Sequence, residues 1–295
     1  MEPFAYVRKG KEIGTLGNIT SGESIVEKVA GDFRFLEGPI WTRSNTLIFS
    51  DIPADVLYEL EPNGEVQKFR VPSRHANGNT LDLEGRLITC EHGSRDVTRT
   101  NKDGTVEILA SRFEGKKLNS PNDCAVFTDG SIFFTDPPYG IGPDQEELGF
   151  YALFRIRPDG GLELLKDDFV KPNGLVFSPD FRTLYVADTE RYHIRAFQVE
   201  ENGQLTGGGE FAEVKGADDA GPDGMRVDVN GNIYCTGSGG IHVFSAKGDR
   251  IALIQTPETP ANCTFGDEDG KTLYITARTS LYKVRVENEG VRPGF

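Results

Sequence analysis

Six residues whose side chains end in oxygen recur along the chain, and each begins a short segment in which a polar turn leads into an apolar strand. The six are Glu37, Asn77, Asn122, Asn173, Asp223 and Asn262, separated by 40, 45, 51, 50 and 39 residues. Carboxylate and amide oxygens are the ligands that a hard cation such as Ca²⁺ prefers. Two carboxylates would neutralise its two charges. The pattern therefore predicts a divalent metal site, provided that the fold brings the six residues together.

The same residues also fit a plainer interpretation. Asn-Gly and Asp-Gly are common turn signals, so any one of the six could simply mark a turn. Three features favour ligands: the common period, the Pro that precedes three of the residues in SPND, KPNG and GPDG, and the poor turn propensity of Glu37. The metal interpretation is weakest for Asn77 and Asn262.

The elements that must position these residues are strands. Intervals of 39 to 51 residues are close to the length of one four-stranded propeller blade. After each segment comes a turn rich in Gly, Asn or Asp and then a second strand, as in TLIFSD, SIFFTDP and TLYVADT. We therefore expect an all-β fold, a six-bladed β-propeller. Two unrelated β-sandwiches are the alternative, and no WD dipeptide supports a WD40 scaffold.

The sixth unit is incomplete, because no fourth strand follows LYKVRV at 281–286. SIVEKVA at 24–30 is a strand without a blade of its own. We expect this N-terminal strand to close the ring as the outer strand of the last blade, which removes an exposed sheet edge. Residues 1–22 are then an N-terminal extension, and residues 23–295 form a single propeller domain.

The second strand of each blade runs back toward the same mouth of the channel, so its last residues should surround the metal. They are Asp51, Glu91, His92, Asp136, Tyr139, Asp188 and Arg278. For Asp51 and Asp188 we prefer hydrogen bonds that tie neighbouring blades together, whereas Glu91 and His92 are candidates for substrate contact. His75, in the loop before the second inner strand, could transfer protons or simply be solvated. The insertion at 137–150 is a candidate lid.

Charge and missing motifs exclude several other classes of protein. Lys and Arg total 32 against 46 Asp and Glu, a net charge of −14, which disfavours nucleic acid and anionic membrane surfaces as partners. No apolar run reaches the about 18 residues of a membrane-spanning helix, and MEPFAYVRKGKEIG lacks a secretory apolar region, so we expect a cytoplasmic protein. The four cysteines form no CxxC motif and are expected to be buried free thiols. Motifs of the GxSxG, HExxH, P-loop and GxGxxG types are absent.

Longer motifs around these residues resemble one family. FLEGPIW at 35–41, LNSPND at 118–123, FTDPPYG at 134–140, KPNGLVFSPD at 171–180 and GPDGMRVD at 221–228 resemble the regucalcin (senescence marker protein)/gluconolactonase family, over residues 33–286. LNSPND together with FTDPPYG is similar to its microbial gluconolactonase-like branch. The resemblance implies one divalent cation, with Ca²⁺ the chemical favourite and Zn²⁺, Mn²⁺ or Mg²⁺ as alternatives. It implies that Glu37, Asn173 and Asp223 hold the ion and that Asn122 contacts substrate or completes the metal shell.

The resemblance also implies an activity, the hydrolysis of lactones of sugar acids such as gluconolactone. Vertebrate members carry Arg where this chain has Ser120, so the substrate itself stays open. The proton of an attacking water would go first to Asp223, with His92, Glu91 and His75 as alternates. The substrate-binding candidates are Asn122, Ser120, Asp136, Tyr139 and His75.

Two other functions stay open at this point. A phosphotriesterase resembling diisopropyl fluorophosphatase would share the propeller and a calcium site, and a calcium-binding propeller would have no catalysis at all. A strictosidine-synthase-like propeller is disfavoured, because that branch lacks the metal ligands. The expected partner is a small-molecule lactone, and the sequence does not distinguish a monomer from a homodimer.

Overall fold

The computed structural model describes residues 25–216 and 218–294 and is built almost wholly of antiparallel β-strands. Six four-stranded sheets follow one another around a ring, and in five of them the four strands are consecutive in sequence. The first strands of neighbouring sheets contact each other, so they surround a central channel. The predicted six-bladed β-propeller is therefore confirmed.

The first half of the ring begins with a strand that belongs to the last blade, β1 (Glu27–Ala30). Blade 1 consists of β2 (Leu36–Trp41), β3 (Leu47–Asp51), β4 (Val56–Leu60) and β5 (Val66–Arg70). Blade 2 consists of β6 (Ala76–Leu81), β7 (Leu87–Glu91), β8 (Asp96–Thr100) and β9 (Val106–Ala110). A two-stranded ribbon, β10 (Arg112–Phe113) and β11 (Lys116–Lys117), leads to blade 3. Blade 3 consists of β12 (Cys124–Val126), β13 (Ile132–Asp136), β14 (Ala152–Ile156) and β15 (Leu162–Lys166).

The second half repeats this arrangement. Blade 4 consists of β16 (Pro172–Phe177), β17 (Thr183–Asp188), β18 (His193–Val199) and β19 (Leu205–Glu213). Blade 5 consists of β20 (Met225–Val227), β21 (Ile233–Gly237), β22 (Gly240–Phe244) and β23 (Arg250–Gln255). Blade 6 consists of β24 (Asn262–Gly266), β25 (Thr272–Ala277) and β26 (Ser280–Arg285), with β1 on the outside. Two short 3₁₀ helices, Pro143–Gln145 and Thr189–Arg191, lie in connections.

The ring closes as expected, because β1 pairs antiparallel with β26. Glu27 lies opposite Lys283 and Lys28 opposite Tyr282. The predicted extension at residues 1–22 lies outside the described residues, so the division into that extension and one domain over 23–295 stays a prediction. After β26 the chain crosses the opposite mouth of the channel, where Val291 donates a backbone hydrogen bond to Val227 (2.9 Å).

The hydrophobic core lies between the faces of neighbouring blades rather than at the centre of the ring. Phe133 of blade 3 meets Phe177 of blade 4 edge to face, with ring centroids 5.1 Å apart. Trp41 of blade 1 stacks on Tyr274 of blade 6 at 5.5 Å, across the point where the ring closes. Aromatic and β-branched residues favour such half-buried pleated surfaces.

Hydroxyl groups near the ends of three second strands join blade 1 to blade 2, blade 3 to blade 4 and blade 5 to blade 6. Ser50 donates to the carbonyl of Asn77 (2.6 Å), Thr135 to that of Asn173 (2.8 Å) and Thr236 to that of Ala261 (2.8 Å). These bonds require the inner strands to lie close together. At Gly38, where φ is +49°, an added Cβ would lie 2.0 Å from the Asn77 carbonyl oxygen, so only glycine fits.

Two further features agree with the sequence. All four cysteines are buried and unpaired, as expected. Within residues 25–216 and 218–294, no helix has the length and apolarity that a membrane crossing needs.

Candidate active site

The inner strands bring the predicted residues to one mouth of the channel, where they line a cavity of about 420 Å³. The wall of this cavity includes Glu37, Asn77, Asn122, Asn173 and Asp223, five of the six residues that recur with the blades. Asn262 lies just behind them and donates from Nδ2 to Oε2 of Glu37 (3.0 Å). The parallel inner strands start at the same mouth, which is why a repeat in the sequence becomes a ring in space.

The amides form a hydrogen-bonded arc along one side of the ring. Nδ2 of Asn77 donates to Oδ1 of Asn122 (2.7 Å), and Nδ2 of Asn122 donates to Oδ1 of Asn173 (2.6 Å). Nδ2 of Asn173 then donates to Oγ1 of Thr189 (3.0 Å). Oδ1 of Asn77 is buried without a partner, although a buried acceptor normally has one.

Two carboxyl groups, those of Glu37 and Asp223, lie on the other side of the ring, and a third, that of Asp123, is buried close to them. Burial raises the pKa of Glu37 to about 7, and the nearby charge of Asp123 adds to that rise. Burial, together with the charges of Glu37 and Asp123, also raises the pKa of Asp223 well above its ordinary range. Like charges that share a dry site repel one another, and a bound cation removes that cost.

These observations fit a divalent cation. The oxygen atoms of the site come from carboxylates and amides, the set that hard cations prefer, and one buried amide oxygen lacks a partner. Among residues 25–216 and 218–294, no group of three or more His, Cys, Asp or Glu side chains is arranged to hold a metal ion. A metal site here would therefore depend on amide oxygens as well as carboxylates.

Asp123 is a carboxylate that the sequence analysis missed. It follows Asn122 directly, whereas glycine follows the equivalent residue in four other blades, for example Gly38 and Gly174. Its side chain is 1% exposed and its Oδ2 lies 3.4 Å from Nδ2 of Asn262. The break in the glycine pattern was the signal that could have identified it.

His92, Tyr139 and Arg278 also line the cavity, as the positions after the second strands predicted. Nε2 of His92 lies 3.0 Å from Nδ2 of Asn77 and can accept its hydrogen bond in the Nδ1–H tautomer. Burial lowers the pKa of His92 to about 4, so its imidazole is neutral near pH 7. The hydroxyl group of Tyr139 bonds to Oγ1 of Thr189 (3.0 Å), which places the start of the 137–150 insertion beside the ring.

Comparison with known proteins identifies the family. Residues 35–279, which include every inner strand, match the family described as the SMP-30/gluconolactonase/LRE-like region. The chain belongs to this family. Proteins similar to this chain include gluconolactonase from Zymomonas mobilis, 33% identical over 90% of this chain and 82% of its own length. Bovine regucalcin is 27% identical over 83% of this chain and 84% of its own length.

Solved structures similar to this chain have the same fold. A gluconolactonase from Xanthomonas campestris is 36% identical, with a TM-score of 0.84, 90% of this chain covered and 91% of that one. The calcium-binding protein regucalcin from Agrobacterium tumefaciens is 20% identical, with a TM-score of 0.76, 90% of this chain covered and 94% of that one. At 20% identity this second likeness shows the fold alone.

Several predicted site residues do not line the cavity. Glu91 is fully buried, and its carboxylate accepts from Nη2 of Arg70 (2.8 Å), Oγ of Ser94 (2.6 Å) and Oγ1 of Thr98 (2.8 Å). Because these partners, Arg70 of blade 1 and two hydroxyl groups of blade 2, hold the carboxylate, Glu91 does not line the cavity. This differs from the expected substrate contact.

Asp136 occupies the register position equivalent to Glu91 and does not line the cavity either. Its carboxylate, like that of Glu91, is held by local hydrogen bonds. Its Oδ2 accepts from the backbone N–H of Asn119 (2.8 Å), and burial raises the pKa of its carboxyl to about 7. Asp51 and Asp188 likewise accept from backbone N–H groups of the segments that lead into their own inner strands. Asp51 accepts from the N–H of Arg34 (2.9 Å) and Asp188 from the N–H of Lys171 (2.9 Å). The bonds of these two residues thus lie within a blade rather than between neighbouring blades.

The last two predicted residues also have local partners. Oγ of Ser120 donates to the carbonyl of Pro137 (2.6 Å) and accepts from the N–H of Gly140 (2.9 Å), so it holds the turn that carries Tyr139. His75 is exposed, with its Nδ1 2.8 Å from the carbonyl oxygen of Ile52. Neither side chain lines the described cavity.

Proposed function

We propose that the protein is a metal-dependent lactonase that hydrolyses lactones of sugar acids such as gluconolactone to the open-chain acid. The observation that carries the proposal is the pair of carboxylates, Glu37 and Asp223, next to the amides of Asn122 and Asn173 in the wall of an open cavity. Two relatives that bear the name gluconolactonase, at 33% and 36% identity, support it.

The proposed metal ligands are Glu37, Asn122, Asn173 and Asp223. Their oxygen atoms suit Ca²⁺ best, and Zn²⁺, Mn²⁺ or Mg²⁺ are alternatives. When bound, such an ion polarises a carbonyl group and lowers the pKa of a water molecule. Glu37 is preorganised for this role, since its Oε2 accepts from the N–H of Gly38 (2.7 Å) and from Asn262 (3.0 Å).

The proton transfer falls to Asp223 in this proposal. The oxygen of a water molecule bonds to the carbonyl carbon of the lactone, the bond from that carbon to the ring oxygen breaks, and Asp223 carries the proton from the water to the ring oxygen. His92 is the alternative base, because its ring is neutral near pH 7 and lies beside Asn77. Glu91, whose carboxylate already has three partners, has no part in this mechanism.

Substrate recognition is assigned to the polar groups of the cavity wall. Asn122, Tyr139, Thr189 and Arg278 offer donors and acceptors that match the hydroxyl groups of a sugar lactone. A volume of about 420 Å³ is in the range of small-molecule sites. A hydroxylated lactone should therefore be preferred to an apolar one, because unpaired polar groups in the wall disfavour the latter.

The test compares three substrates with the metal-loaded protein: D-glucono-1,5-lactone, δ-valerolactone and diisopropyl fluorophosphate. The proposal predicts hydrolysis above the uncatalysed rate that is fastest for gluconolactone. Turnover of the phosphotriester alone would favour the phosphotriesterase alternative, and metal binding without turnover of any substrate would indicate a calcium-binding propeller.

Two matched variants complete this experiment. Asp223→Asn should lower kcat by about 10²-fold or more and weaken metal binding. Asp249→Asn makes the same chemical change on the exposed hairpin between β22 and β23 and should change neither. Unchanged turnover in Asp223→Asn would remove Asp223 from the mechanism.

A further inference from the structure

Arg226 is a buried arginine whose side-chain hydrogen bonds go to backbone carbonyl groups. It lies in β20, three residues after Asp223, and is 3% exposed. Its Nη1 donates to the carbonyl of Met225 (2.9 Å) and its Nη2 to that of Pro39 (3.4 Å), while Nε has no partner. The guanidinium group therefore bridges the inner strands that carry Glu37 and Asp223.

Other buried arginines of the described chain have a carboxylate within ion-pair distance, and Arg226 has none. Arg155 pairs with Glu163 (3.0 Å) and Arg195 with Asp168 (2.8 Å). No carboxylate of the described residues lies within 4.0 Å of Arg226. A buried charge without a direct partner is costly, so it persists where longer-range charges compensate it.

The compensating charges lie in the carboxylate cluster of the site. Arg226 approaches that cluster at the carbonyl of Pro39, which lies two residues after Glu37 in β2. Asp123 is connected to Glu37 through one amide, because Nδ2 of Asn262 lies 3.0 Å from Oε2 of Glu37 and 3.4 Å from Oδ2 of Asp123. Oδ1 of Asp123 accepts from the N–H of Cys124 (2.9 Å).

The charges of these groups add up to a defined total. Glu37, Asp123 and Asp223, when ionised, carry three negative charges, and Arg226 carries one positive charge. The remainder equals the charge that one divalent cation neutralises. Asp123 is absent from the cavity wall, so its charge can act on a cation without binding it.

We propose that Asp123 and Arg226 are positioning residues. Without binding the ion, they set the charge around the metal site and thereby its affinity for a divalent cation. This inference rests on the proposed metal-dependent function. Asp123 strengthens cation binding and Arg226 weakens it, while Arg226 keeps the metal-free site folded by offsetting the repulsion among the three carboxylates. The two effects have opposite signs, which a purely structural role does not produce.

The experiment measures the Ca²⁺ dissociation constant by isothermal titration calorimetry on the metal-stripped protein. Asp123→Asn, which preserves the acceptor for Cys124, should raise the dissociation constant about tenfold or more, since a unit charge is removed near a divalent ion. Arg226→Gln should lower it by a similar factor, and Arg226→Lys should stay close to the unsubstituted protein. The double variant Asp123→Asn/Arg226→Gln should also return close to that value.

Thermal unfolding supplies the second readout. Without calcium, Arg226→Gln should melt at a lower temperature than the unsubstituted protein. Calcium should raise the melting temperature of Arg226→Gln by more than it raises that of the unsubstituted protein. Arg155→Gln is the matched control: it removes a buried arginine of blade 3, away from the channel, and should lower the melting temperature without changing calcium affinity.

The outcomes separate this inference from the proposed function. If the unsubstituted chain binds no divalent cation, the proposed function fails. If it binds calcium and Arg226→Gln binds more weakly, only the inference is overturned. Should Arg226→Gln not fold, Asp123→Asn and Arg226→Lys decide: equal affinities for Asp123→Asn and the unsubstituted protein would overturn the inference.

Discussion

The substitution Glu37→Gln should stabilise the metal-free protein and weaken its stabilisation by calcium. Glu37 is 4% exposed and faces the charges of Asp123 and Asp223. Both of its hydrogen bonds, from Gly38 and from Asn262, go to the same atom, Oε2. The carbonyl oxygen of glutamine can take that place, so the substitution removes the charge and leaves both bonds.

The magnitude follows from the proton affinity of the carboxyl group. Its pKa rises from 4.5 to about 7 on folding. Each tenfold change in proton affinity corresponds to about 1.4 kcal/mol, so the ionised Glu37 lowers the free energy of unfolding by about 3 kcal/mol. Because the folded form binds the proton more tightly, stability without metal should fall as the pH rises from about 4.5 to about 7. Glu37→Gln should lose this part of the pH dependence and gain most of the energy above pH 7.

The assay is thermal unfolding of metal-stripped protein between pH 5 and pH 8, with and without calcium. Glu37→Gln should melt at a higher temperature than the unsubstituted protein at pH 8 without calcium, and the order should reverse when calcium saturates the site. Two results together would refute this reasoning: a lower melting temperature for the metal-free variant, and an unchanged rise in melting temperature when calcium is added. They would show that the charge of Glu37 neither destabilises the metal-free protein nor contributes to calcium binding.

Three further predictions test individual contacts. Glu91→Gln should lower the free energy of unfolding by about 2 to 3 kcal/mol through its buried pair with Arg70, yet leave kcat/KM within about twofold; a large loss of turnover at unchanged stability would restore its catalytic role. Thr135→Val leaves the Asn173 carbonyl without its donor and should cost about 1 to 3 kcal/mol, with weaker calcium binding in titration calorimetry; unaltered stability would show that this interblade bond contributes nothing. Because the pKa of His92 is about 4, a loss of kcat/KM caused by protonation of His92 should occur as the pH falls through about 4. A loss of kcat/KM near pH 6.5 that disappears in His92→Asn would contradict a buried neutral ring.

The fold was predictable because a propeller repeats its signals. Six inner strands at similar spacing fixed the blade number, and the incomplete sixth unit indicated that an N-terminal strand must close the ring. The pairing of β1 with β26 is the consequence. The ring of side chains that end in oxygen was predictable for the same reason, since residues in one register of parallel inner strands start at one mouth.

The surroundings of the ring were less predictable, because period alone does not tell which way a side chain turns. Glu91 and Asp136 share a register with Asp51 and Asp188, and all four carboxylates are held by local hydrogen bonds, Glu91 also by Arg70 of the preceding blade. The four residues should therefore have been treated alike. His92, one residue beyond that register, does reach the cavity.

The two charged residues beneath the ring had different signals. Asp123 replaces the glycine of the pattern, which a comparison among the blades of this one chain could have detected. Arg226 stands between Met225 and Val227 in what resembles a strand with one solvent-facing residue. Only the structure shows that an inner strand is surrounded on every side, so that this guanidinium group is buried.

The most direct test of the central claim is the hydrolysis of D-glucono-1,5-lactone by the protein before and after chelation, followed by addition of one metal at a time. Chelation should abolish hydrolysis above the uncatalysed rate, and one divalent cation, Ca²⁺ first, should restore it at one ion per chain. Undiminished hydrolysis by a protein shown to be free of metal would contradict the claim.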